Sequence, residues 1–190
     1  MRHFAVELEE LNQKLLEMGG LVESAIQRSV RALSDQNREL AEQVIRDEPK
    51  INNDLERIGD LAQHIAERAL SLMHHPLVKP MTDIPKMASL VQSMLLKCLD
   101  AFVRGDEALA RSVLLSDDEV DGLRDAVHAE LLETMQRDPG VVPAAVDLIF
   151  IARNLERIGD HATNIAEDVV FLINGTDVRH HANHETAQPL

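Results

Sequence analysis

A six-residue string, LERIGD, occurs twice in this chain, at residues 55–60 and again at 155–160. The likeness extends beyond the string. Between 54–72 and 154–172, 11 of 19 positions are identical, where composition alone gives about one. A chain that carries the same unit twice folds as two similar units laid against each other. The segments upstream repeat more weakly. Leu21-Val22 with Ser24 matches Leu90-Val91 with Ser93, and Leu40-Ala41 with Val44 matches Leu109-Ala110 with Val113. The offset is 69 there and 100 at LERIGD, so the second copy holds 31 residues that the first lacks. These fall between Ile51/Val120 and the LERIGD strings. They amount to most of the tip of a helical hairpin: the end of one helix, a turn and the start of the next. Two explanations stand: a true deletion near Ile51–Asn53, or a disordered stretch missing from the sequence as read. The second is favoured, because a shortened first unit would expose part of an apolar stripe at about 25 cal/mol per Å².

The apolar spacing is helical almost throughout. Leu8, Leu11, Leu15, Met18, Val22, Ile26, Val30 and Leu33 form one stripe on a helix predicted over 4–33. Gly19 and Gly20 interrupt it, each costing about 1 kcal/mol against Ala, and the simplest reason is close helix–helix contact. A second helix begins near Leu40 and a third covers 53–73. The stretch 74–80 holds two prolines and divides the halves. Thr82-Asp83 and Pro85 start a fourth helix, which carries Met87, Leu90, Val91, Met94, Leu95, Cys98 and Phe102 and stops near Gly105. Asp106 opens a fifth that runs to about Gln136. Asp138-Pro139-Gly140 is a turn, and a sixth helix covers 142–173 and stops at Asn174-Gly175. Three units follow: residues 1–77, 78–176 and a tail, 177–190. The architecture expected is all-α, two tandem three-helix bundles side by side.

Composition narrows the function. With four Phe and no Trp or Tyr among 190 residues, the chain lacks the aromatic residues of a large sheet and the stacking platforms of single-strand nucleic-acid binders. A formal net charge of −14 repels phosphate backbones and favours cations and basic partners. The single cysteine, Cys98, reads as core and fits a reducing compartment. The polar opening HFAVELEELNQKL gives no expectation of a secretory leader, and no apolar run reaches the roughly 20 residues of a membrane span. A cytoplasmic location is expected.

The repeated unit carries the chemistry. Glu56 and Asp60 are four apart and share a helix face, as do Glu156 and Asp160. Glu67 and Glu167 continue those faces, with His64 and Asn164 between. Asp117 and Asp121 come from the second unit's middle helix, and Glu48 is their weak match in the first. Like charges at this spacing repel by a few tenths of a kcal/mol per pair, so a counter-charge is expected. Arg57, Arg157 or a basic group on a neighbouring helix can supply it. Alternatively a cation sits between the helices, and carboxylates alone suit hard or borderline ions such as Mg²⁺, Mn²⁺, Ca²⁺ or iron. Gly59 and Gly159 leave room for a helix or an ion. Glu-x-x-His, the mark of di-iron bundles, is absent. So are phosphate-binding loops, nucleophile elbows and HExxH. His64 and His161 read as surface or hydrogen-bonded residues, and His180, His181 and His184 as part of a solvated tail. Nothing in the residues argues for catalysis.

The segments ARNLERIGDHATNIAEDVVFLINGTDVRH (152–180), HFAVELEELNQKLLEMGGLVESAIQRSVRAL and NNDLERIGDLAQHIAERAL resemble the PhoU family of phosphate-specific transport accessory proteins. The resemblance spans nearly the whole chain and departs from the family only at the missing stretch. It implies the paired three-helix fold and a non-enzymatic, cytoplasmic regulator that represses the phosphate-starvation response. It implies contact with the phosphate ABC transporter's ATPase subunit and with a sensor histidine kinase at the inner membrane face, restraint of phosphate uptake, and a homodimer or larger oligomer. It also implies multinuclear iron or divalent-metal binding through ExxxD motifs, carried here onto Glu56, Asp60, Glu156 and Asp160, with Glu48, Asp117, Asp121, Glu67 and Glu167 as weaker candidates. Metal storage or hydrolysis, and a metal-free helical interaction module, are the rival readings.

Overall fold

The structure is a computed structural model that describes residues 19–20, 23, 26–46, 53–75, 78 and 83–174. The described residues are helical apart from turns and short connections. Helix α1 covers 26–34, and residues 19, 20 and 23 before it are also helical. Helix α2 is Arg38–Arg46, α3 is Asn53–Leu72, α4 is Asp83–Arg104, α5 is Glu107–Arg137 and α6 is Val142–Asn174. A single 3₁₀ turn, Pro139–Val141, joins α5 to α6. The bounds of α2 to α6 and the end of α1 fall within a residue or two of those read from periodicity, and the start of the first helix, read at residue 4, lies outside the described residues. No helix among the described residues is long and apolar enough to cross a membrane.

The duplication is visible in the turns. After α1 the amide of Asn37 donates to the carbonyl of Ala32 at 2.9 Å. The residue between, Gln36, takes a left-handed φ of +48°. The side chain of Asn37 then accepts from the amide of Leu40 at 3.1 Å and caps α2. After α4 the same device recurs at the same offset of 69. The amide of Asp106 donates to Ala101 at 3.0 Å, Gly105 has φ +63°, and Asp106 accepts from the amide of Leu109 at 3.0 Å. This is a left-handed helix stop followed at once by an N-cap. The second copy places glycine at the left-handed position, where a Cβ is unfavourable, and the first places glutamine there.

The missing residues leave a measurable mark. Helix α2 has 9 residues where α5 has 31, and α3 has 20 where α6 has 33. Among the described residues the shortfall lies at the end of the second helix and the start of the third. Glu48, Leu8 to Met18, Val22 and the C-terminal tail lie outside the described residues.

One hydrophobic core runs through all six helices. It includes Ile26, Ile58, Ile65, Met87, Met94, Leu95, Val113, Leu131, Ile151, Leu155 and Ile158. Helices α4, α5 and α6 pack on one another in every pairing. Helix α3 packs on α2 and on α6, so α6 is the wall between the two halves. Ser29 of α1 donates to the carbonyl of Ala62 in α3 at 2.8 Å. Gly19 is buried, and a Cβ there would run into the side chain of Leu99 in α4, so close helix contact accounts for it. Gly20 differs. It is exposed and has open space around it, and no contact explains it. Cys98 is fully buried, its thiol directed at the carbonyl of Leu95, and burial pushes its pKa up to about 12. It is a core residue, as its place on the stripe indicated.

The α3–α6 contact has a polar clamp. Arg68 donates to the buried carboxylate of Asp147 at 3.1 Å, and its guanidinium lies 4.7 Å from the centre of the Phe150 ring. Arg68 is half-exposed while Asp147 is not, so the arginine satisfies a carboxylate that cannot reach water freely. Arg68→Ala is therefore expected to destabilise the fold by about 2 kcal/mol, and Arg68→Ala/Asp147→Leu to recover part of that loss. Chemical denaturation of both variants checks it; equal stability of the single variant and wild type contradicts it. The unequal turns give a second expectation. Gln36→Gly relieves a left-handed non-glycine residue and raises stability by about 1 kcal/mol, whereas Gly105→Ala lowers it. Thermal melts of the two variants should shift in opposite directions.

Candidate functional site

Helices α5 and α6 bring the second set of carboxylates together. Along α5, Asp117, Asp121 and Arg124 follow one another at spacings of four and three, on one face. Along α6, Glu156 and Asp160 face them. The link is Gly159, where an added Cβ would lie 3.7–3.8 Å from Val120, Asp117 and Met94. That is ordinary contact distance. Three helices meet at Gly159, yet an alanine would fit, so the expected need for a glycine here does not come from steric exclusion.

Four acidic side chains in this space act on one another. Asp117 is half-buried, and its pKa is raised to about 6, first by burial and then by the charges of Asp160, Asp121, Asp118 and Glu156. Asp160 is exposed as a residue, but partial desolvation of its carboxyl, then the charges of Glu156 and Asp121, raise its pKa; His161 and Arg124 pull the other way. The cluster is thus a region of concentrated negative potential on an acidic chain.

The counter-charge is Arg124. Its guanidinium donates to Glu156 at 2.6 Å across the α5–α6 interface. It also pairs with Asp121 at 3.1 Å and with Asp125 at 3.0 Å. Burial alone would lower the pKa of Arg124; the hydrogen bonds to Asp125 and Glu156 outweigh it and hold the group above its ordinary value. Arg57 and Arg157, within the repeated string, are exposed and form no ion pair among the described residues. Of the three sources of positive charge considered from sequence, the neighbouring helix supplies it. Arg124 itself was not singled out by sequence reasoning. It lies in the stretch that has no counterpart in the first copy, where comparison of the repeats is silent. Its position seven residues after Asp117, on the same face, was the available signal.

The remaining candidates are not gathered into this cluster. Glu56 and Asp60 are exposed on α3 and have no ion pair among the described residues. Glu67 is exposed and accepts from the Gln63 amide at 3.1 Å. Glu167 is half-buried farther along α6. His64 is exposed and His161 is buried. Carboxylates are the right donors for a hard or borderline cation. As placed, however, no three His, Cys, Asp or Glu side chains among the described residues could hold a metal ion together. The set as it stands does not fit a metal, and Arg124 takes two of its carboxylates.

Beside the Arg124–Glu156 bridge a cleft of about 320 Å³ opens between α5 and α6. Val127, His128, Ile149 and Arg153 line it with the two bridging residues. No nucleophile and base are paired there.

The raised Asp117 pKa has a consequence for stability. Its folded value lies above its unfolded one, so the folded state favours the protonated acid. That contribution is fully present below pH about 4 and is lost as pH rises through about 6. With allowance for solvent screening of a half-buried group, ionised Asp117 costs about 1 kcal/mol at neutral pH. Asp117→Asn is expected to raise the melting temperature at pH 7.5 by about 2–4 °C and to have little effect near pH 4. Melts across that range check it; a gain independent of pH contradicts the assignment.

The fold has known relatives. The PhoU domain family matches residues 15–53 and 84–169. The first match is less than half as long as the second and ends where the first copy is short. A phosphate-specific transport system accessory protein PhoU homolog of Pseudomonas aeruginosa is 36% identical over 214 residues, covering 94% of this chain and 88% of the relative. The homolog of Aquifex aeolicus is 35% identical, covering 92% of this chain and 94% of the relative. Both alignments are longer than the 190-residue chain, because the relatives hold internal residues that it lacks. The crystal structure of PhoU from Pseudomonas aeruginosa superposes with a TM-score of 0.86 over 91% of this chain and 100% of that one, at 36% identity. That of the phosphate transport system regulatory protein PhoU from Streptococcus pneumoniae gives 0.83 over 92% and 99%, at 27% identity. With its sequence matched in both halves and its helices superposed over almost their whole length, the chain belongs to the PhoU family.

Proposed function

We propose that this protein is a negative regulator of the phosphate-starvation response, coupling the phosphate ABC transporter to its sensor histidine kinase and restraining phosphate uptake. One observation carries the reading: relatives bearing the name of a phosphate-specific transport accessory protein align with it nearly end to end. The physical features agree with an accessory role. The described helices form one packed body, and the acidic surface suits basic partner surfaces. The partners are the transporter's ATPase subunit and the kinase, met at the cytoplasmic face of the inner membrane by a homodimer.

A metal-free form of this role is favoured by the Arg124–Glu156 bridge, which neutralises part of the carboxylate cluster from within the chain. Divalent-metal or iron binding is not required by the reading.

Complementation tests it. In a bacterium lacking its own member of the family, a reporter of phosphate-starvation genes is active even in rich phosphate if the lost protein was the repressor. Expressing this chain is expected to lower the reporter at least tenfold, and the transporter's ATPase subunit is expected to co-purify with it. Unaltered reporter activity with well-folded protein present would falsify the reading. In the same assay, Glu156→Ala/Asp160→Ala separates the two halves of the argument: lost repression makes those carboxylates part of signalling, and full repression leaves them outside it.

A further inference from the structure

Nine large apolar side chains are exposed among the described residues, and six of them lie on α6. They sit only at its two ends. Val142, Val146 and Phe150 occupy the first turns, and Phe171, Leu172 and Ile173 the last. Between the ends the exposed face is polar: Arg153 and Arg157 come first, then Asp160, and Asn164 and Asp168 lead on to Phe171. From Val142 to Phe171 these exposed positions recur every three or four residues, so they form one stripe along the helix. Helix α6 is the wall between the two halves, and the stripe is the side that α3, α4 and α5 leave open.

We infer that a second copy of this chain packs on the stripe, with the two α6 helices antiparallel about a two-fold axis beside Arg157. The order of the residues carries the argument. From the N-terminus it runs apolar, basic, acidic, apolar, and the reversed order is its complement. A second copy turned end for end sets its Phe171 over Val142 and Val146 and its Asp160 over Arg153. Each contact then occurs twice, as an isologous interface requires. Arg153 and Arg157 form no ion pair among the described residues, so their charges are open to the other copy. The two Arg157 side chains flank the axis, each about one helical turn from the opposite Asp160. Parallel helices would instead set arginine against arginine and aspartate against aspartate, which is repulsive. The inference deepens the homodimer proposed above and does not depend on the phosphate-starvation role.

The surface is large enough for this. The stripe is about 44 Å long at a rise of about 1.5 Å per residue, and one helix wide, about 10 Å, it gives roughly 900 Å² over two copies. Arg68 of α3 flanks it at Phe150, and His128 of α5 flanks it at Arg153. With those edges the pair reaches the roughly 1,200 Å² at which stable interfaces begin. The apolar ends supply the burial, and the charged middle fixes direction and register.

Sedimentation velocity of the full chain over a micromolar concentration series tests it. Wild type is expected to dimerise. Val146→Glu/Phe171→Glu, at two exposed positions, is expected to raise the dissociation constant at least tenfold and to leave the far-ultraviolet circular dichroism unchanged. Disulfide cross-linking reads the register. Cys98 is the single cysteine and is fully buried, so an added surface cysteine is the reactive one. Arg157→Cys, beside the axis, is expected to link the two copies on mild oxidation. Phe171→Cys, about 20 Å from the axis, is expected to link them at most about a tenth as much. A monomeric wild type overturns the proposal and leaves the stripe to a different protein. A dimer that withstands the double glutamate substitution overturns it too, because another face then holds the copies together. Equal linking at both positions means parallel helices and has the same force. If the glutamate variant does not fold, the two cysteine variants carry the test alone. The reporter assay judges the regulatory role whatever these measurements give, so the two readings fail separately.

Discussion

Helix α6 is the constraint on which the other helices depend. It packs against α3, α4 and α5, and its buried residues run from Ala144 to Val170. A helix buried on several sides cannot follow a simple two-faced pattern. It carries apolar residues around much of its circumference, and two of its acidic residues turned toward other helices are each answered by an arginine. Asp147 is answered by Arg68 and Glu156 by Arg124. Each answer comes from a different half of the molecule, and each fixes α6 against a different partner helix. The two arginines act as registers as well as counter-charges.

The carboxylate cluster shows how such a wall acquires unusual chemistry. Asp117 and Asp160 sit at a junction of three helices, where desolvation and mutual repulsion add in the same direction. A single arginine offsets part of this. The remainder leaves Asp117 titrating far above the ordinary aspartate range. Strain of this electrostatic kind is tolerated because the apolar core around it, including Met94, Val120 and Ile158, is continuous.

Much of this was legible in the residues. The helix ends were, because Asp106, Pro139 and the Gly105 stop act locally, through caps and turns that need no tertiary partner. The core stripe of α4 was, because a period of three to four residues survives in Met87, Val91, Met94 and Cys98. The pairing of Asp117 and Asp121 with the LERIGD carboxylates was also anticipated. What stayed hidden depended on distance in the sequence. Arg68 meets Asp147 across 79 residues and Arg124 meets Glu156 across 32; nothing local marks Arg68 among the other arginines, and for Arg124 the shared face with Asp117 is the one local sign. The two adjacent glycines illustrate the same limit. Gly19 meets Leu99 and Gly20 meets open space, a difference that only packing against α4 creates.

The brevity of α2 has a kinetic side. Helices α4, α5 and α6 follow one another through tight turns, so their mutual contacts close short loops and can form early at small entropic cost. Among the described residues the other half has a nine-residue α2 and a 20-residue α3, and short helices gain most of their stability from the partner they pack on, here α6. The chain is thus expected to assemble from its C-terminal half outward, with the N-terminal helices docking onto a template already formed. The amide hydrogens of α1 and α2 should accordingly exchange through local openings, while those at the centre of α6 wait for global unfolding.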